Sequence, residues 1–337
     1  MTPQERVRCA LHHQETDIVP YQIDLTGQAA ERLATYTGER DFLHGTGMHL
    51  QYIQYWGWPT ETGEGTALFK DDFGVCWNRS GADKDIGVVD HPLLTEPDLS
   101  LLPEPYLNAA RLRSEVEQML ASAEDRYVFA GIGFSLFERL WSYCGMENAL
   151  VYMLTEPEFT HELLDRIRDF NLQVIDILNE YPLDAVYFGD DWGQQKGLIM
   201  GPELWRTFIK PRMAALYDRA RQGGKRIIQH SCGDIHEIFP DLIDIGLDCY
   251  QTFQPEIYDV DDVKREFGRD LTFWGGLSTQ RLLPYASPEE VKAETRRMME
   301  RMGKGGGYIA APTHAVPGDV PPENILAMLD VFQNQRG

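Results

Sequence analysis

The chain has 337 residues, 43% of them hydrophobic, and its 31 basic and 53 acidic residues give a formal net charge of −22. Because nucleic-acid recognition needs a basic surface, we expect no nucleic-acid binding. No apolar run reaches the roughly 20 residues of a membrane-spanning helix, and the amino terminus lacks the apolar core of a signal peptide, so we expect a cytoplasmic protein without membrane association.

The first third of the chain becomes irregular after its opening helix. Residues 3–14 have a helical pattern, a short strand is predicted from Tyr21 to Asp24, and a second helix is predicted near residues 28–36. Residues 37–105 are rich in Gly, Asp, Trp and Pro and have no strong periodicity. Because so long a stretch of this kind is unusual unless it is functional, we expect an insertion or lid there.

From residue 106 the chain alternates predicted helices and strands. Helices are predicted at residues 107–124, 136–154, 158–180, 202–222, 235–245, 261–267, 288–302 and 322–332. Strands are predicted at residues 127–133, 185–191, 226–233, 249–253, 271–276 and 307–312. This alternation is typical of a parallel sheet covered by helices.

The strand near Tyr21 brings the predicted count to seven and leaves the irregular region to supply an eighth. We therefore predict an α/β protein with one domain over residues 1–337, a (β/α)8 barrel of the TIM type whose insertion or lid is residues 37–105. A doubly wound sheet is the second choice. No glycine-rich dinucleotide or phosphate-binding fingerprint follows any predicted strand.

His230 and Cys232 stand two residues apart at the end of a predicted strand. Residues with this spacing share one face of a strand, and both side chains are good zinc ligands. The five cysteines are widely spaced without a Cys-x-x-Cys pair, as in a protein of a reducing compartment. A buried histidine beside an inert cysteine is the commoner outcome for such a pair taken alone.

His314 follows another predicted strand and is the only other histidine so placed. In a βα barrel the functional residues lie at the carboxyl ends of the strands, where these three side chains would converge. Two histidines and one thiolate with an open fourth position would form a catalytic rather than a structural zinc site. On geometry alone, a metal site and a structural cluster remain comparably good interpretations.

Other polar and aromatic residues follow the strands as well. Asp190 and Asp191 are either helix caps and loop residues or catalytic groups, one of which donates a proton or orients a histidine ligand. Trp192 and Trp274 are either core residues or walls of a substrate pocket. Gln254 is either a turn amide or a group that hydrogen-bonds the substrate.

Several motifs along the chain resemble those of the uroporphyrinogen decarboxylase superfamily. They are Thr2–Val7 with His13–Pro20, Gly189–Asp191, His230–Asp234, Phe273–Gly276, and Gly305–Pro312 followed by Pro321–Ile325. The resemblance spans nearly the whole chain and is strongest from residue 185 onward. It implies a βα barrel, in agreement with the predicted strands.

True decarboxylases of this superfamily bind a tetrapyrrole with many carboxylates, without metal, through a motif of the form RQAGR after the first strand. This chain has the sequence Tyr21–Gln28 there and no arginine between Tyr21 and Arg32. The resemblance to that branch therefore lacks its substrate-binding arginine motif. A metal-free decarboxylase of porphyrin biosynthesis is the alternative hypothesis, and a non-catalytic barrel that binds a small molecule is the second.

The other branch comprises corrinoid-dependent methyltransferases, which act on coenzyme M or demethylate methoxylated compounds. The coenzyme M enzymes hold zinc with a His-x-Cys pair and a later cysteine after an Ala-Pro sequence. His230 and Cys232 match the pair, and His314 stands where the later cysteine would fall. The resemblance implies zinc held by these three residues, with Asp190 and Asp191 in catalytic roles. With one thiolate fewer the zinc would be more Lewis acidic, which favours a methoxylated substrate over a thiol.

The main hypothesis is therefore a zinc-dependent methyltransferase that works with a separate corrinoid protein. Trp192, Gln254 and Trp274 would shape its substrate pocket. Cobalamin would come on the partner, because the chain lacks an Asp-x-His-x-x-Gly motif. The sequence leaves the oligomeric state open, a homodimer included.

Overall fold

The computed structural model describes residues 1–63, 65–81 and 86–335. In this part of the chain the main sheet has seven parallel strands in the order β1-β6-β7-β10-β11-β12-β13. They are β1 (Leu50–Tyr55), β6 (Tyr127–Ile132), β7 (Ala185–Gly189), β10 (Arg226–His230), β11 (Cys249–Phe253), β12 (Thr272–Leu277) and β13 (Tyr308–Pro312). The first of them, β1, supplies a sheet strand from within the irregular region.

The sheet closes into a barrel through a seam of irregular backbone between β13 and β1. Tyr21 and Leu25 form isolated parallel bridges with Ala310 and Val316. On the other side, the amide of His49 donates to the carbonyl of Tyr21 at 3.2 Å. The predicted barrel is confirmed, but the strand predicted at residues 21–24 was wrong, because only isolated bridges form there.

Two side chains complete the hydrogen bonding along this seam. Nδ1 of His49 accepts from the amide of Tyr21 at 3.4 Å, and Oε1 of Gln22 accepts from the amide of Leu50 at 3.3 Å. These side chains accept hydrogen bonds from backbone amides that have no strand partner at the seam.

Helices surround the barrel in nearly the order that the sequence predicts. They are α1 (Pro3–Leu11), α2 (Gly27–Thr37), α3 (Ala109–Ala121), α4 (Phe137–Cys144), α5 (Met146–Thr155), α6 (Pro157–Asn179), α7 (Pro202–Leu204), α8 (Lys210–Gln222), α9 (Phe239–Asp244), α10 (Val260–Phe267), α11 (Leu282–Tyr285), α12 (Pro288–Gly303) and α13 (Pro322–Gln333). A π-helical turn joins α7 to α8. No helix among the described residues is long and apolar enough to cross a membrane.

Alternation along the strands divides the buried side chains into two sets. In β7, Val186 and Phe188 belong to the large core between the sheet and the helices, whereas Ala185 and Tyr187 belong to a smaller core inside the barrel. This is the period of two that a strand buried on both faces requires. Helix α1 adds apolar side chains, Val7 among them, to the inner core.

A second sheet lies between β1 and α3 along the chain. Its antiparallel strands, in the order β2-β3-β4-β5, are β2 (Thr60–Glu61), β3 (Leu68–Lys70), β4 (Cys76–Asn78) and β5 (Val88–Val89). The remaining two strands, β8 (Gly193–Gln194) and β9 (Gly197–Leu198), form a small hairpin after β7.

A buried ion pair ties the loop before β4 to helix α4. Nη1 of Arg139 donates to Oδ2 of Asp71 at 2.7 Å, and both side chains are fully buried. The same carboxylate accepts from the indole of Trp77, and Nη2 of Arg139 donates to the carbonyl of Trp56. The two partners therefore satisfy each other's charge where water is excluded.

Candidate metal centre

The three residues predicted as metal ligands converge at the carboxyl end of the barrel. His230 ends β10, Cys232 follows two residues later, and His314 lies two residues beyond β13. Their ligand atoms all lie within 4.8 Å of one another. Nε2 of His230 is 3.6 Å from Sγ of Cys232, and the two imidazole rings are 5.8 Å apart between centroids. The cluster has the donor types and the spacing to hold one metal ion.

Gln251 orients the imidazole of His230 from the neighbouring strand β11. Its Oε1 is hydrogen-bonded to Nδ1 of His230, and the hydroxyl of Tyr187 donates to the same oxygen at 3.2 Å. Because an amide oxygen only accepts, Nδ1 carries the proton in this bond. Nε2 is then the nitrogen presented to Cys232, which is the usual arrangement of a histidine ligand.

Asp191 holds the other side of the pair. Its Oδ1 accepts from the amide of Cys232 at 2.7 Å and lies 3.3 Å from Nε2 of His230. Burial alone would raise the pKa of Asp191, but the neighbouring His230 and the Cys232 amide lower it to about 2. Burial raises the pKa of the Cys232 thiol, an effect that His230 partly offsets. A metal would displace that thiol proton.

Two glycines allow the loops that carry Asp191 and Cys232 to pack backbone to backbone. A Cβ on Gly193 would lie 2.6 Å from the carbonyl oxygen of Cys232. A Cβ on Gly233, whose φ is +79°, would lie 2.2 Å from the carbonyl carbon of Gly193. Only glycine fits at either position, so the loop geometry depends on both residues.

Asp190 faces away from the cluster, so its predicted catalytic role is not supported by its position. Its carboxylate is fully buried and accepts from the amides of Phe137 and Glu138 and from the indole of Trp192. It therefore caps the amino terminus of α4. Burial raises the pKa of Asp190 to about 6, although these hydrogen bonds lower it.

Trp192 is likewise not a pocket wall. Its side chain is fully buried and packs edge to face on Trp205 at 5.3 Å between centroids. Beyond the end of β7, Asp190 and Trp192 continue the side of the strand that points to the helices, whereas Asp191 continues the inward side of Tyr187. Trp192 is therefore a core residue and not a wall of the substrate pocket, because its ring has no exposed surface.

Trp274 lines a cavity of about 280 Å³ inside the barrel mouth, the inner cavity. His230 and His314 lie in its wall. The wall also contains aromatic and acidic side chains, namely Asp24, Tyr52, Trp56, Phe129, Phe134, Glu138, Tyr187 and Asp191. Trp274 packs edge to face against Phe129 at 5.9 Å between centroids, and both rings lie in the cavity wall.

Gln254 lies on the other side of the cluster. Its Oε1 accepts from the amide of Gly233 at 2.8 Å, which fixes the turn after Cys232. It also lines a second cavity of about 680 Å³, together with Cys232 and His314. The predicted substrate-binding residues Gln254 and Trp274 therefore line different cavities.

Sequence reasoning missed two acidic residues that line the inner cavity, Glu138 and Asp24. Glu138 lies in the first turn of α4, and burial beside Asp191 and Asp190 raises its pKa well above the ordinary value. Burial also raises the pKa of Asp24, against hydrogen bonds from Tyr52 and Gln22 that lower it. Glu138 lies at the start of a helix and not directly after a strand, so the rule that functional residues follow the strands of a barrel does not predict it.

Residues 82–335 match the model of the uroporphyrinogen decarboxylase (URO-D) family. The chain belongs to the uroporphyrinogen decarboxylase family. This confirms the resemblance inferred from the sequence motifs. The match covers well over half of the chain and includes His230, Cys232 and His314.

Relatives in this family carry two kinds of name. The methylated-thiol–coenzyme M methyltransferase of Methanosarcina mazei is 26% identical over 183 residues, which cover 54% of this chain and 47% of that protein. The uroporphyrinogen decarboxylase of Methylococcus capsulatus is 26% identical over 187 residues, 53% of this chain and 49% of that protein. The aligned segments thus span about half the length of these two relatives.

A further decarboxylase, from Chlorobaculum tepidum, is 24% identical over 263 residues, 76% of this chain and 70% of that protein. Among solved structures, a methyltransferase from Methanosarcina mazei superposes with a TM-score of 0.76 and 17% identity over the full length of both chains. The superposition shows a shared fold.

Proposed function

We propose that this protein is a zinc-dependent methyltransferase that moves a methyl group between a small methylated substrate, or a thiol, and a separate corrinoid protein. The observation that carries the proposal is the cluster of His230, Cys232 and His314, of which the two histidines lie in the wall of the inner cavity. A relative and a structural neighbour that are named methyltransferases support it.

The spacing of His230 and Cys232 fits zinc. Bond lengths of about 2.1 Å to nitrogen and 2.3 Å to sulfur, at a tetrahedral angle, place two such ligand atoms about 3.6 Å apart. Nε2 of His230 and Sγ of Cys232 are 3.6 Å apart. With His314 as the third ligand, the fourth position would be free for substrate or for Asp191.

The protein's own residues would prepare the site for this chemistry. Gln251 and Asp191 fix His230 from opposite sides, and the aromatic wall around Trp274 keeps water away from the methyl group. Bound zinc would polarise the oxygen or sulfur that carries the methyl group and stabilise it as it leaves. Since His314 replaces a thiolate, the ligand set favours a methoxylated donor.

Cobalamin would be carried by the partner protein, because the sequence has no Asp-x-His-x-x-Gly motif. The donor or acceptor of the methyl group would be a small molecule, since the inner cavity has a volume of about 280 Å³.

The lining of the inner cavity argues against a decarboxylase that binds a tetrapyrrole with many carboxylates. None of the described residues that line it is Lys or Arg, whereas three are Asp or Glu. A polyanion in this cavity would be repelled. A purely structural barrel would not require Gln251 and Asp191 to hold one histidine with its Nε2 directed at a thiol.

Metal analysis combined with a transfer assay tests the proposal. We expect about one zinc per chain, and loss of zinc and of methyl transfer to a reduced corrinoid protein in Cys232→Ser and His314→Ala. Cys76→Ser and His236→Ala are matched controls away from the cluster and should keep both properties. A wild-type protein without zinc, or a fully active Cys232→Ser variant, would contradict the proposal.

A further inference from the structure

The inner cavity combines aromatic walls with acidic groups. Six aromatic side chains line it, and their rings are in contact in pairs. Tyr52 stacks on Phe129 at 4.7 Å and Phe129 stacks on Tyr187 at 5.8 Å between centroids. Phe129 and Tyr187 each contact the ring of Trp274 edge to face. Rings with negative faces attract a cation within about 6 Å of the centroid.

The charges of the site leave two acidic groups without a basic partner in the cavity. A divalent zinc ion, the Cys232 thiolate and the Asp191 carboxylate sum to zero formal charge. Asp24 and Glu138 remain, and no described residue of the cavity lining is Lys or Arg.

Two guanidinium groups lie near the aromatic wall, but neither lines the cavity. Arg79 lies 5.8 Å from the ring centroid of Trp56. Arg139 lies 5.5 Å from the ring of Phe134 and is paired with Asp71. Neither contact places a Lys or Arg side chain among the described residues that line the cavity.

We propose that the inner cavity selects a small methylated onium cation, a quaternary ammonium or a sulfonium, through its aromatic wall and the carboxylates of Asp24 and Glu138. This inference rests on the proposed methyltransferase function and names the charge of the donor. A positively charged onium centre does not bind zinc, so in such a donor zinc would bind another atom, for example a hydroxyl oxygen, rather than the atom that carries the methyl group.

The transfer balances for such a donor. The bond between the methyl carbon and nitrogen, or sulfur, breaks, and the methyl group passes to the reduced corrinoid of the partner. The bonding electron pair stays on the nitrogen or sulfur, so the product leaves as a neutral amine or thioether and requires no proton. The neutral product loses its attraction to the aromatic wall and to Asp24 and Glu138, which favours its release.

Calorimetric binding to the zinc-loaded full chain tests the inference without turnover. The probes are choline, its sulfonium analogue, the neutral isostere 3,3-dimethylbutan-1-ol, and neutral 2-methoxyphenol. We expect at least one of the two cations to bind about tenfold more tightly than the neutral isostere. The two cations distinguish ammonium from sulfonium donors. Equal or tighter binding of the neutral isostere, or of 2-methoxyphenol, would overturn the inference.

Variants locate the preference in the cavity. Glu138→Gln and Asp24→Asn should each weaken binding of the preferred cation severalfold and leave the neutral isostere unchanged. Glu300→Gln, on the exposed face of α12, is the matched control and should bind as the wild type does. An unchanged preference in both cavity variants would also overturn the inference.

A separate transfer assay distinguishes the two proposals. Methyl transfer from 2-methoxyphenol without cation preference would uphold the proposed function and reject the onium donor. Selective cation binding with no methyl transfer from any donor to the reduced corrinoid protein would uphold the cation site and reject the function.

Discussion

Oδ1 of Asp191 lies 3.3 Å from Nε2 of His230, the nitrogen that faces Sγ of Cys232 at 3.6 Å. The carboxylate therefore stands beside the atom that would bind a metal, while Gln251 holds the opposite nitrogen of the ring. With a metal bound, Asp191 would fix the ligand pair or occupy the fourth coordination position until substrate arrives.

We predict that Gln251→Leu lowers zinc affinity by about 10- to 100-fold. The variant removes the acceptor that fixes the proton on Nδ1 of His230, so the ring is no longer held with Nε2 toward Cys232. Competition with a zinc chelator measures the effect. An unchanged affinity, with an unchanged unfolding curve, would refute this role for Gln251.

We predict that substitution of Asp190 lowers the stability of the fold, whereas substitution of Asp191 lowers metal affinity. Asp190→Asn can accept through one oxygen only, so it leaves a buried donor of α4 or Trp192 unsatisfied and should lower the free energy of unfolding by about 1–3 kcal/mol. Asp191→Asn should instead lower zinc affinity by about tenfold. Urea unfolding and zinc titration of both variants measure the two effects, and the reverse pattern would contradict these roles.

The buried pair of Arg139 and Asp71 should be costly to break on one side. Arg139→Met leaves the Asp71 carboxylate buried without its cation, and we expect a loss of about 3–5 kcal/mol in the free energy of unfolding. The double variant with Asp71→Asn should recover part of that loss, which chemical denaturation of the three variants measures. A double variant as unstable as the sum of the two single ones would contradict the pairing.

His49 should make the barrel acid-sensitive. Burial, together with the nearby Arg6, lowers the pKa of His49 to about 4. The folded state resists a proton that the unfolded state takes up from about pH 6.5, so this stability is present at pH 7 and is lost as the pH falls toward 4. Between pH 7 and pH 4.5 the loss is about 2–3 kcal/mol.

His49→Asn keeps an acceptor near the position of Nδ1 but does not titrate. The free energy of unfolding of the wild type should therefore fall more steeply with acid than that of the variant, by about the same 2–3 kcal/mol. Urea unfolding at several pH values measures the difference. Parallel curves for the two proteins would show that His49 is not the group responsible.

The sequence predicted the barrel and the convergence of His230, Cys232 and His314, because both follow from strand periodicity and barrel topology. His230 and Cys232 share a strand face by the period of two, and barrel topology brings His314 to the same end. The same rule separates Asp190 from Asp191, but only once the register of β7 is known: Tyr187 points inward, so Asp191 does and Asp190 does not.

Other features depend on contacts that no local pattern contains. Glu138 reaches the cavity from a helix whose first turn is held by Asp190, a residue 52 positions away. The segment around Tyr21 has the composition of a strand. It forms only an isolated bridge, because side chains such as His49 accept the backbone hydrogen bonds that a neighbouring strand would otherwise accept. In both cases the partner is distant in sequence.

The seam also lies beside the candidate metal cluster. Val316, two residues beyond His314, is tethered to the opening segment by a bridge to Leu25 and by hydrogen bonds with Asp24 and Thr26. Across the barrel, His230 ends β10, which pairs with β7 on one side and β11 on the other, and Cys232 follows two residues later. If the cluster binds a metal, a fluctuation that opens the seam would move His314 away while His230 and Cys232 stay together, so metal loss would begin at His314.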